Sequence, residues 1–586
     1  MTRFDVYLIK PTRYDDNGYP VQWWRSIVPS NSLACLAGIL DDSVRRGVLG
    51  ANVDVVAHPI DETNAKVDIG AILERRRLGQ GRVLVCLVGV QTNQFPRAMD
   101  IARPLRAAGV PVCIGGFHVS GCIAMLGENA PEIQLARDLG VAIFAGEAEE
   151  QRFDEVLRDG FAGELRPLYN HLADLPSLAG APAPLLDKKF VERTVTQWSS
   201  FDLGRGCPFE CSFCTIINVQ GRKSRFRTAD ELEAIVRANI ANGVARFFVT
   251  DDNFARNRNW EAYADRLIEM QARENIGVRI IIQVDAMAHR IPGFIDKMFA
   301  AGAHLIFIGL ENINPDNLES VKKRQNRIEE YREMMLAWKR HAVVITCGYI
   351  VGFPKDTKAS ILRDVETLKR ELPFDLLTLN MLTPLPGSED HRRMQREGVW
   401  MDPDFNKYDL THRVTHHPLM SDKELDEVFI EAHRAFFTFE HMAKVFKRMV
   451  AQKNGMRFTT LYMLMAYREG LRLHHVAYAE FGILRIVRRR QRRYGLPLES
   501  PIVFYPRLAW RLARKATAYC VTYARLRISL AVAWRAWEKQ DIYPYTDEAL
   551  VEASGANDAL VAQTLARSTP YAQRRRQKRN AAEPTL

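Results

Sequence analysis

Cys207, Cys211 and Cys214 stand in the stretch Gly204-Arg-Gly-Cys-Pro-Phe-Glu-Cys-Ser-Phe-Cys-Thr215, a C-x3-C-x2-C spacing. Three thiolates in one tight loop suit an iron–sulfur cluster. A 4Fe-4S cube is held by four cysteines, so a three-cysteine set leaves one iron open to a substrate or cofactor. Gly204 and Gly206 permit tight turns, Pro208 fixes a bend and Phe213 directly precedes the last cysteine. Zinc sites more often pair C-x2-C knuckles with His or Cys partners about fifteen residues on, and none follows here. Cysteines this close also pack as small hydrophobes; the flanking glycines, proline and aromatic favour the cluster.

The elements that must position this loop read as strand, helix, strand, repeated over residues 196–400. Arg246–Thr250 runs into Asp251-Asp252-Asn253, Val278–Ile282 into Gln283-Val284-Asp285, and His304–Ile308 into Gly309-Leu310-Glu311. Val343–Cys347 runs into Gly348-Tyr-Ile-Val-Gly352-Phe-Pro354, and Leu376–Asn380 into Met381-Leu-Thr-Pro-Leu-Pro386-Gly387. With a strand implied before Gly204, these make six βα units whose polar groups gather where the loops after the strands converge.

Ahead of them, residues 1–160 carry apolar strands at 5–9, 53–56, 82–89, 111–114 and 141–144 with helical patterns between, one of them N-capped by Ser30-Asn31-Ser32. Continuous Val/Leu/Ile strands alternating with helices predict a doubly wound parallel sheet, whose ligands bind at the carboxyl ends of the strands. Those ends hold Gln91-Thr92-Asn93, Gly115-Gly116-Phe117-His118 and Gly146-Glu147. Paired glycines let backbone approach a flat, bulky ligand, and the polar side chains offer partners for amide or phosphate groups. Residues 161–195, punctuated by Pro167, Pro176, Pro182 and Pro184, read as a linker.

The cysteine loop resembles the cluster loop of the radical S-adenosylmethionine (SAM) enzymes, and the resemblance implies a 4Fe-4S cluster whose open iron chelates SAM, cleaved to methionine and a 5′-deoxyadenosyl radical. The six βα units are similar to that family's partial, TIM-like barrel. By that resemblance Asp251, Asp252 and Asn253 stand where many members have Gly-Gly-Glu, which contacts the SAM amino group, with the choice between the two aspartates open. Gln283 and Asp285 fall where side chains reach the methionyl carboxylate or the ribose, Glu311 is a second ribose candidate, and Gly352 lies in the strand beside adenine. Residues 1–160 resemble the cobalamin-binding domain of one large branch of the superfamily. This implies that Ser30, Asn31, Gln91, Thr92, Asn93, Gly115, Gly116, His118 and Glu147 contact a corrinoid. The Asp-x-His-x-x-Gly signature that gives a histidine to cobalt is absent, so His118 is not assigned as a cobalt ligand.

Residues 401–565 read as a helical, basic region and 566–586 as a disordered tail. His412, His416 and His417 invite a metal or proton-transfer role, but adjacent residues of a strand do not share a face, and substrate contact is the preferred reading. Ser421-Asp-Lys-Glu424 is a capping box. Between Arg485 and Lys539 fourteen Lys or Arg face two acidic residues, interleaved with Trp510, Tyr519, Tyr523 and Trp534. An interfacial helix on anionic lipid has this composition. Nucleic acid is disfavoured, since no reader motif accompanies the charge.

The chain's 586 residues, 47% hydrophobic and 26% charged with a net charge of +11, exceed one ordinary core. No apolar run reaches the roughly eighteen residues of a spanning helix, and the N-terminus reads as a strand rather than a leader. The other six cysteines are scattered as reduced thiols, not as a disulfide framework. The location expected is cytoplasmic, with peripheral contact at the inner membrane face. The function implied is a cobalamin-dependent radical SAM C-methyltransferase acting on an unactivated carbon through the 5′-deoxyadenosyl radical and methylcobalamin. Its substrate is a small molecule or lipid, and its electron donor is of the flavodoxin or ferredoxin kind. A radical SAM cyclase like the anaerobic magnesium-protoporphyrin cyclase is the rival enzyme, and a non-catalytic cobalamin or cluster sensor the rival of another class.

Overall fold

The computed structural model describes residues 2–77, 82–184, 186–476, 480–539 and 543–550. The N-terminal sheet is built from β1 (Thr2–Lys10), β2 (Val53–Asp61), β3 (Arg82–Leu87), β4 (Val112–Gly115), β5 (Ala142–Ala145) and β6 (Leu168–Asn170). They run parallel in the order β2-β1-β3-β4-β5-β6. Alternate residues of β1 feed the two cores of a doubly wound sheet. Phe4, Val6 and Leu8 pack against helix α1 (Asn31–Arg45) and the helix at Arg152–Ala162. Tyr7 and Ile9 pack on the other face, beneath helices including α2 (Phe117–Leu126). The order reverses between β1 and β3, and such a switch point opens a crevice at the strands' carboxyl ends.

Residues 161–195, expected as a linker, contribute more than a connection, because Leu168–Asn170 adds β6 to the sheet edge through pairing with Ile143–Ala145. The radical-domain strands are β7 (Ser199–Phe201), β8 (Arg246–Val249), β9 (Arg279–Val284), β10 (Ala303–Glu311), β11 (Val344–Val351) and β12 (Leu376–Met381). They form an open parallel sheet in sequence order. This is the six-stranded partial barrel expected from the sequence.

Beyond it, helices at Asp422–Phe436 and Phe439–Ala451, then α3 (Arg457–His474), pack on the barrel's own hydrophobic core. The expected capping box at Ser421 and Glu424 is formed. A 29-residue helix, α4 (Pro501–Ser529), buries little besides Phe504, Thr522 and Leu526. An antiparallel ribbon pairs Gln22–Ser26 with Gly482–Ile486, tying the start of the chain to its C-terminal region. The tail expected at 566–586 lies outside the described residues, as do residues 551–565.

Candidate functional site

The cysteine loop leaves β7 through Leu203 and Gly204, whose backbone N–H groups are accepted by the buried Asp251 carboxylate, at 2.7 Å for Leu203. Gly206 turns the chain at φ +89°, and a Cβ there would sit 2.9 Å from the carbonyl of Lys223, so glycine is required. Cys207 N–H donates to Gly221 O (3.2 Å) and Ser212 N–H to Val321 O (3.0 Å). The Ser212 hydroxyl reaches Asp390 (3.0 Å). Burial pushes the Cys214 thiol up to about 12 against the pull of the Ile216 backbone N–H, and raises Cys207 as well. Buried thiols of this kind suit a metal cluster, whose positive charge favours the thiolate. Gln325 Nε2 donates to Cys211 Sγ at 3.5 Å.

The two aspartates after β8 divide their work. Asp251 is spent on the backbone of the loop and on Asn257 Nδ2 (3.1 Å). Asp252 lines a cavity and lies near enough to Cys207 and Cys214 to act on their charge, and burial followed by the Asp251 charge lifts its carboxyl to about 7. Asn253 bonds Asp285 (2.9 Å), and Asp285 also takes a bidentate pair from Arg256 at 2.6 and 2.8 Å. Gln283 Nε2 donates to the Asp251 carbonyl (3.3 Å).

Glu311 sits at φ +63°, where the β10–β11 register shifts, and its carboxylate takes 2.6 Å from Lys323 Nζ. A left-handed non-glycine residue costs about 1–3 kcal/mol and clusters at functional sites. Gly309 and Gly348 leave room for that pair. Lys323, which sequence reasoning missed, is 5.8 Å from the Phe213 ring and acts electrostatically on Cys207. Phe213 packs with Val321, Ile350 and Phe353, and Gly352 turns at φ +97° next to Leu425.

A cavity of about 300 Å³ separates the carboxyl ends of β3, β4 and β5 from those of β7 and β8. Its apolar wall includes Leu36, Ile39, Phe117, Phe144 and Val219. Of the residues expected to contact a corrinoid, Asn31, Gly115, Gly116 and Glu147 line it. Asn31 Nδ2 donates to Thr250 (2.9 Å) across the two sheets, while its Oδ1 is buried without a partner. Glu147 is tied to Arg205 (2.7 Å) and Arg225 (2.9 Å), and Arg205 also pairs with Glu149 (2.6 Å) and Asp202 (2.8 Å). This lattice clamps the N-terminal sheet to the barrel.

Ser30, Gln91, Thr92, Asn93 and His118 lie away from that cavity. Ser30 caps α1 through Leu33 N–H (3.3 Å). Gln91 belongs to a capping box with Gln94, and Asn93 donates to Glu480 (2.8 Å). His118 meets Thr92 at 3.3 Å and packs between Phe95 and Phe405. Burial and then the His391 charge push it down to about 3.

His416 and His417 part company, as their adjacency implied. His416 stacks on Trp400 and meets Asp422 at 2.9 Å, while His417 Nε2 donates to Phe353 O at 2.8 Å. His412 turns elsewhere.

Residues 202–368 match the radical SAM superfamily. The chain carries a radical SAM domain. Such a domain uses a 4Fe-4S cluster and SAM, and the three-cysteine loop, with Cys211 buried and Cys207 and Cys214 half-buried, fits the cluster. Among curated proteins, bacteriochlorophyllide d C-12(1)-methyltransferase of Chlorobaculum tepidum is 26% identical over 60% of this chain and 74% of its own length. Hopanoid C-2 methylase of Rhodopseudomonas palustris is 25% identical over 54% of this chain, and the match spans 58% of that protein. Among solved structures, the cobalamin-dependent SAM radical enzyme OxsB with aqua-cobalamin bound has a TM-score of 0.50 at 13% identity, covering 96% of this chain and 83% of that one. This likeness shows that the radical SAM domain and the sheet before it share a common fold with that enzyme. Among the described residues no helix is long and apolar enough to cross a membrane.

Proposed function

We propose that this chain is a cobalamin-dependent radical SAM C-methyltransferase acting on an unactivated carbon of a small, hydrophobic substrate. The observation that carries the reading is the cavity shared by two sets of strand ends, with Asp252 on its wall and near enough to Cys207 and Cys214 to act on their charge. Cys207, Cys211 and Cys214 would hold the cluster. Asp252, rather than Asp251, would accept from the SAM ammonium, because Asp251 is already committed to Leu203, Gly204 and Asn257. Glu311, held by Lys323, and Gln283 would orient the ribose and the methionyl end. Bound in these places, the cluster supplies the electron that cleaves SAM and the corrinoid supplies a methyl group.

The corrinoid fits the cavity on chemistry visible here. The apolar wall suits a flat macrocycle, the unpartnered Asn31 Oδ1 suits an amide donor, and no histidine stands among the lining residues. Gly116 keeps the strand-end turn tight: a Cβ there would lie 2.2 Å from Val90 N.

A lipid or other membrane-derived substrate, with peripheral docking at the cytoplasmic membrane face, is supported by α4. It exposes Ile502, Val503, Trp510, Val521 and Ile528 beside the cations of the same helix. The reductant proposed is a small flavodoxin- or ferredoxin-like protein.

Anaerobic reconstitution with iron, sulfide and hydroxocobalamin tests the reading, followed by mass spectrometry of products after addition of SAM and a strong reductant. Retained corrinoid with both 5′-deoxyadenosine and S-adenosylhomocysteine supports methyl transfer. 5′-Deoxyadenosine alone, with corrinoid retained, favours a cyclase. 5′-Deoxyadenosine without retained corrinoid overturns the cobalamin reading, and no SAM cleavage leaves a sensor.

A further inference from the structure

Away from the cluster loop, three side chains from distant parts of the chain converge with metal-ligand spacing. Asp16 lies in the turn after β1, His412 in the segment beyond the barrel, and His475 just past the end of α3. Asp16 Oδ1 is 3.2 Å from His412 Nε2, Asp16 Oδ2 is 3.0 Å from His475 Nδ1, and the two imidazole rings are 4.2 Å apart between centroids. One ligand atom from each residue lies within 4.8 Å of the other two. Neighbouring donors on a tetrahedral ion with bonds of about 2.0–2.1 Å stand about 3.4 Å apart, close to the two Asp16–imidazole distances.

The surroundings orient these groups as ligands. The buried Asp409 carboxylate, an acceptor only, takes His412 Nδ1 at 3.0 Å and also the backbone N–H of Thr411 and of His412. It holds Nδ1 as a donor and aims Nε2 at Asp16, the carboxylate–histidine arrangement that supports metal-binding imidazoles. Without an ion, a proton on Nε2 bridges to Asp16 at 3.2 Å, and a metal ion bound there would take that proton's place. His475 holds its ring there from a left-handed backbone, φ +51°, a conformation that costs a non-glycine residue stability.

The nearby positive charges are largely matched. Arg13 is paired with Asp409 (3.1 Å) and Glu480 (2.5 Å), and Arg485 with Asp15 (3.1 Å). Asp16 and His475 also line a cavity of about 200 Å³ that holds Arg511, Arg514 and Lys515 besides the paired Arg472, Arg485 and Arg507. Those cations oppose a bare dication and favour one whose open position carries an anion.

We infer that Asp16, His412 and His475 form a second metal site, for a divalent transition ion of the Zn²⁺ class, with Asp409 as its supporting carboxylate. Two imidazoles and one carboxylate suit Zn²⁺ and its neighbours in the first transition row, and Zn²⁺ exceeds Fe²⁺ in affinity for such donors. An ion there would join the N-terminal turn, the post-barrel segment and the end of α3. The site is independent of the SAM chemistry proposed above, so either reading can fail alone.

The test uses the full chain carrying its cluster, with Zn²⁺ and Co²⁺ as probes: zinc content by elemental mass spectrometry, and Co²⁺ binding by visible absorption. The expected result is one Zn²⁺ per chain, retained in the Cys207→Ala/Cys211→Ala/Cys214→Ala variant. Asp16→Asn and His475→Ala should weaken Zn²⁺ at least tenfold, and Asp409→Asn by about 10–100-fold. Asp16 is exposed, so Asp16→Asn separates loss of binding from loss of fold. Zinc content or Co²⁺ spectra unchanged by Asp16→Asn and His475→Ala would overturn the site, as would zinc that disappears with the three cysteines.

Discussion

Where the barrel strands end, polar side chains are already bound to one another, whereas the N-terminal strands end in glycine, apolar surface and one unsatisfied amide oxygen, with Glu147 and Glu149 drawn to Arg205. Asp251 holds Leu203, Asn253 and Arg256 hold Asp285, and Lys323 holds Glu311. Across the cavity stand Gly115, Gly116, Phe144 and Asn31. A preorganised set of charges suits a small, charged ligand whose reacting atoms must be placed closely. A largely apolar wall whose charges are paired among themselves suits a large macrocycle that brings its own reactivity. One fold principle, ligands at the carboxyl ends of parallel strands, thus serves two opposite chemistries a few residues apart.

Substitutions can break that contrast. Replacing Cys207, Cys211 and Cys214 together by Ala should abolish iron–sulfur absorbance and SAM cleavage, yet leave corrinoid binding in place; a simultaneous loss of corrinoid would mean that the two ends are not separable. Asp251→Ala leaves two buried N–H groups unpaired and should lower stability by about 2–4 kcal/mol in denaturant unfolding. Asp252→Asn should leave stability nearly unchanged while raising the KM for SAM about tenfold or more, and equal effects of the two aspartates would erase their division of labour. Gly116→Ala should cost about 3 kcal/mol through its left-handed backbone and the contact with Val90, and should release corrinoid rather than SAM.

A pH scan sharpens the same comparison at smaller scale. His118 and His391 are buried with folded values depressed to about 3 and about 4, so the unfolded chain binds more protons below about pH 6.5. Their stabilisation is complete above that pH and is lost as pH falls toward the folded values. Between pH 6.5 and 5 the expected loss is about 2 kcal/mol for each histidine. His118→Phe should flatten the slope by about that amount, measured as the urea midpoint against pH. The smallest effect expected is on docking: Trp510→Glu with Ile528→Glu should remove salt-sensitive co-sedimentation with anionic vesicles. Unaltered co-sedimentation would remove α4 from the proposal.

Much of this was legible in the residues because local signals are strong. Most strands of both sheets carry apolar runs rich in Val, Ile and Leu, which a parallel sheet covered on both faces buries, and the cysteine spacing announces its own chemistry. What stayed hidden depends on partners far away in sequence. Glu147 lines the cavity, but its partners Arg205 and Arg225, which lie 58 and 78 residues on, also draw it into the clamp between sheets. The roles of Asp251 and Asp252 differ only in which carboxylate turns toward Leu203. Lys323 stands in a basic run, Lys322-Lys-Arg324, that marks none of its members as facing a cysteine. Asp16, His412 and His475 carried no shared motif, because only the folded chain brings them together. Residues 161–195 read as a linker because three residues of β6 are too few to show a period.

The ribbon between Gln22–Ser26 and Gly482–Ile486 sets an order of events during synthesis. Its first strand leaves the ribosome more than 450 residues before its second. Until then the Trp23 indole lacks both the Phe481 ring against which it packs and the Glu480 carbonyl that accepts its N–H at 2.7 Å. The N-terminal domain therefore waits through most of translation with an unpaired strand and an uncovered tryptophan, a state that invites association with other chains. Fragments that stop at the end of the barrel keep that unpaired strand permanently, so the first domain's solubility is set by the last third of the chain.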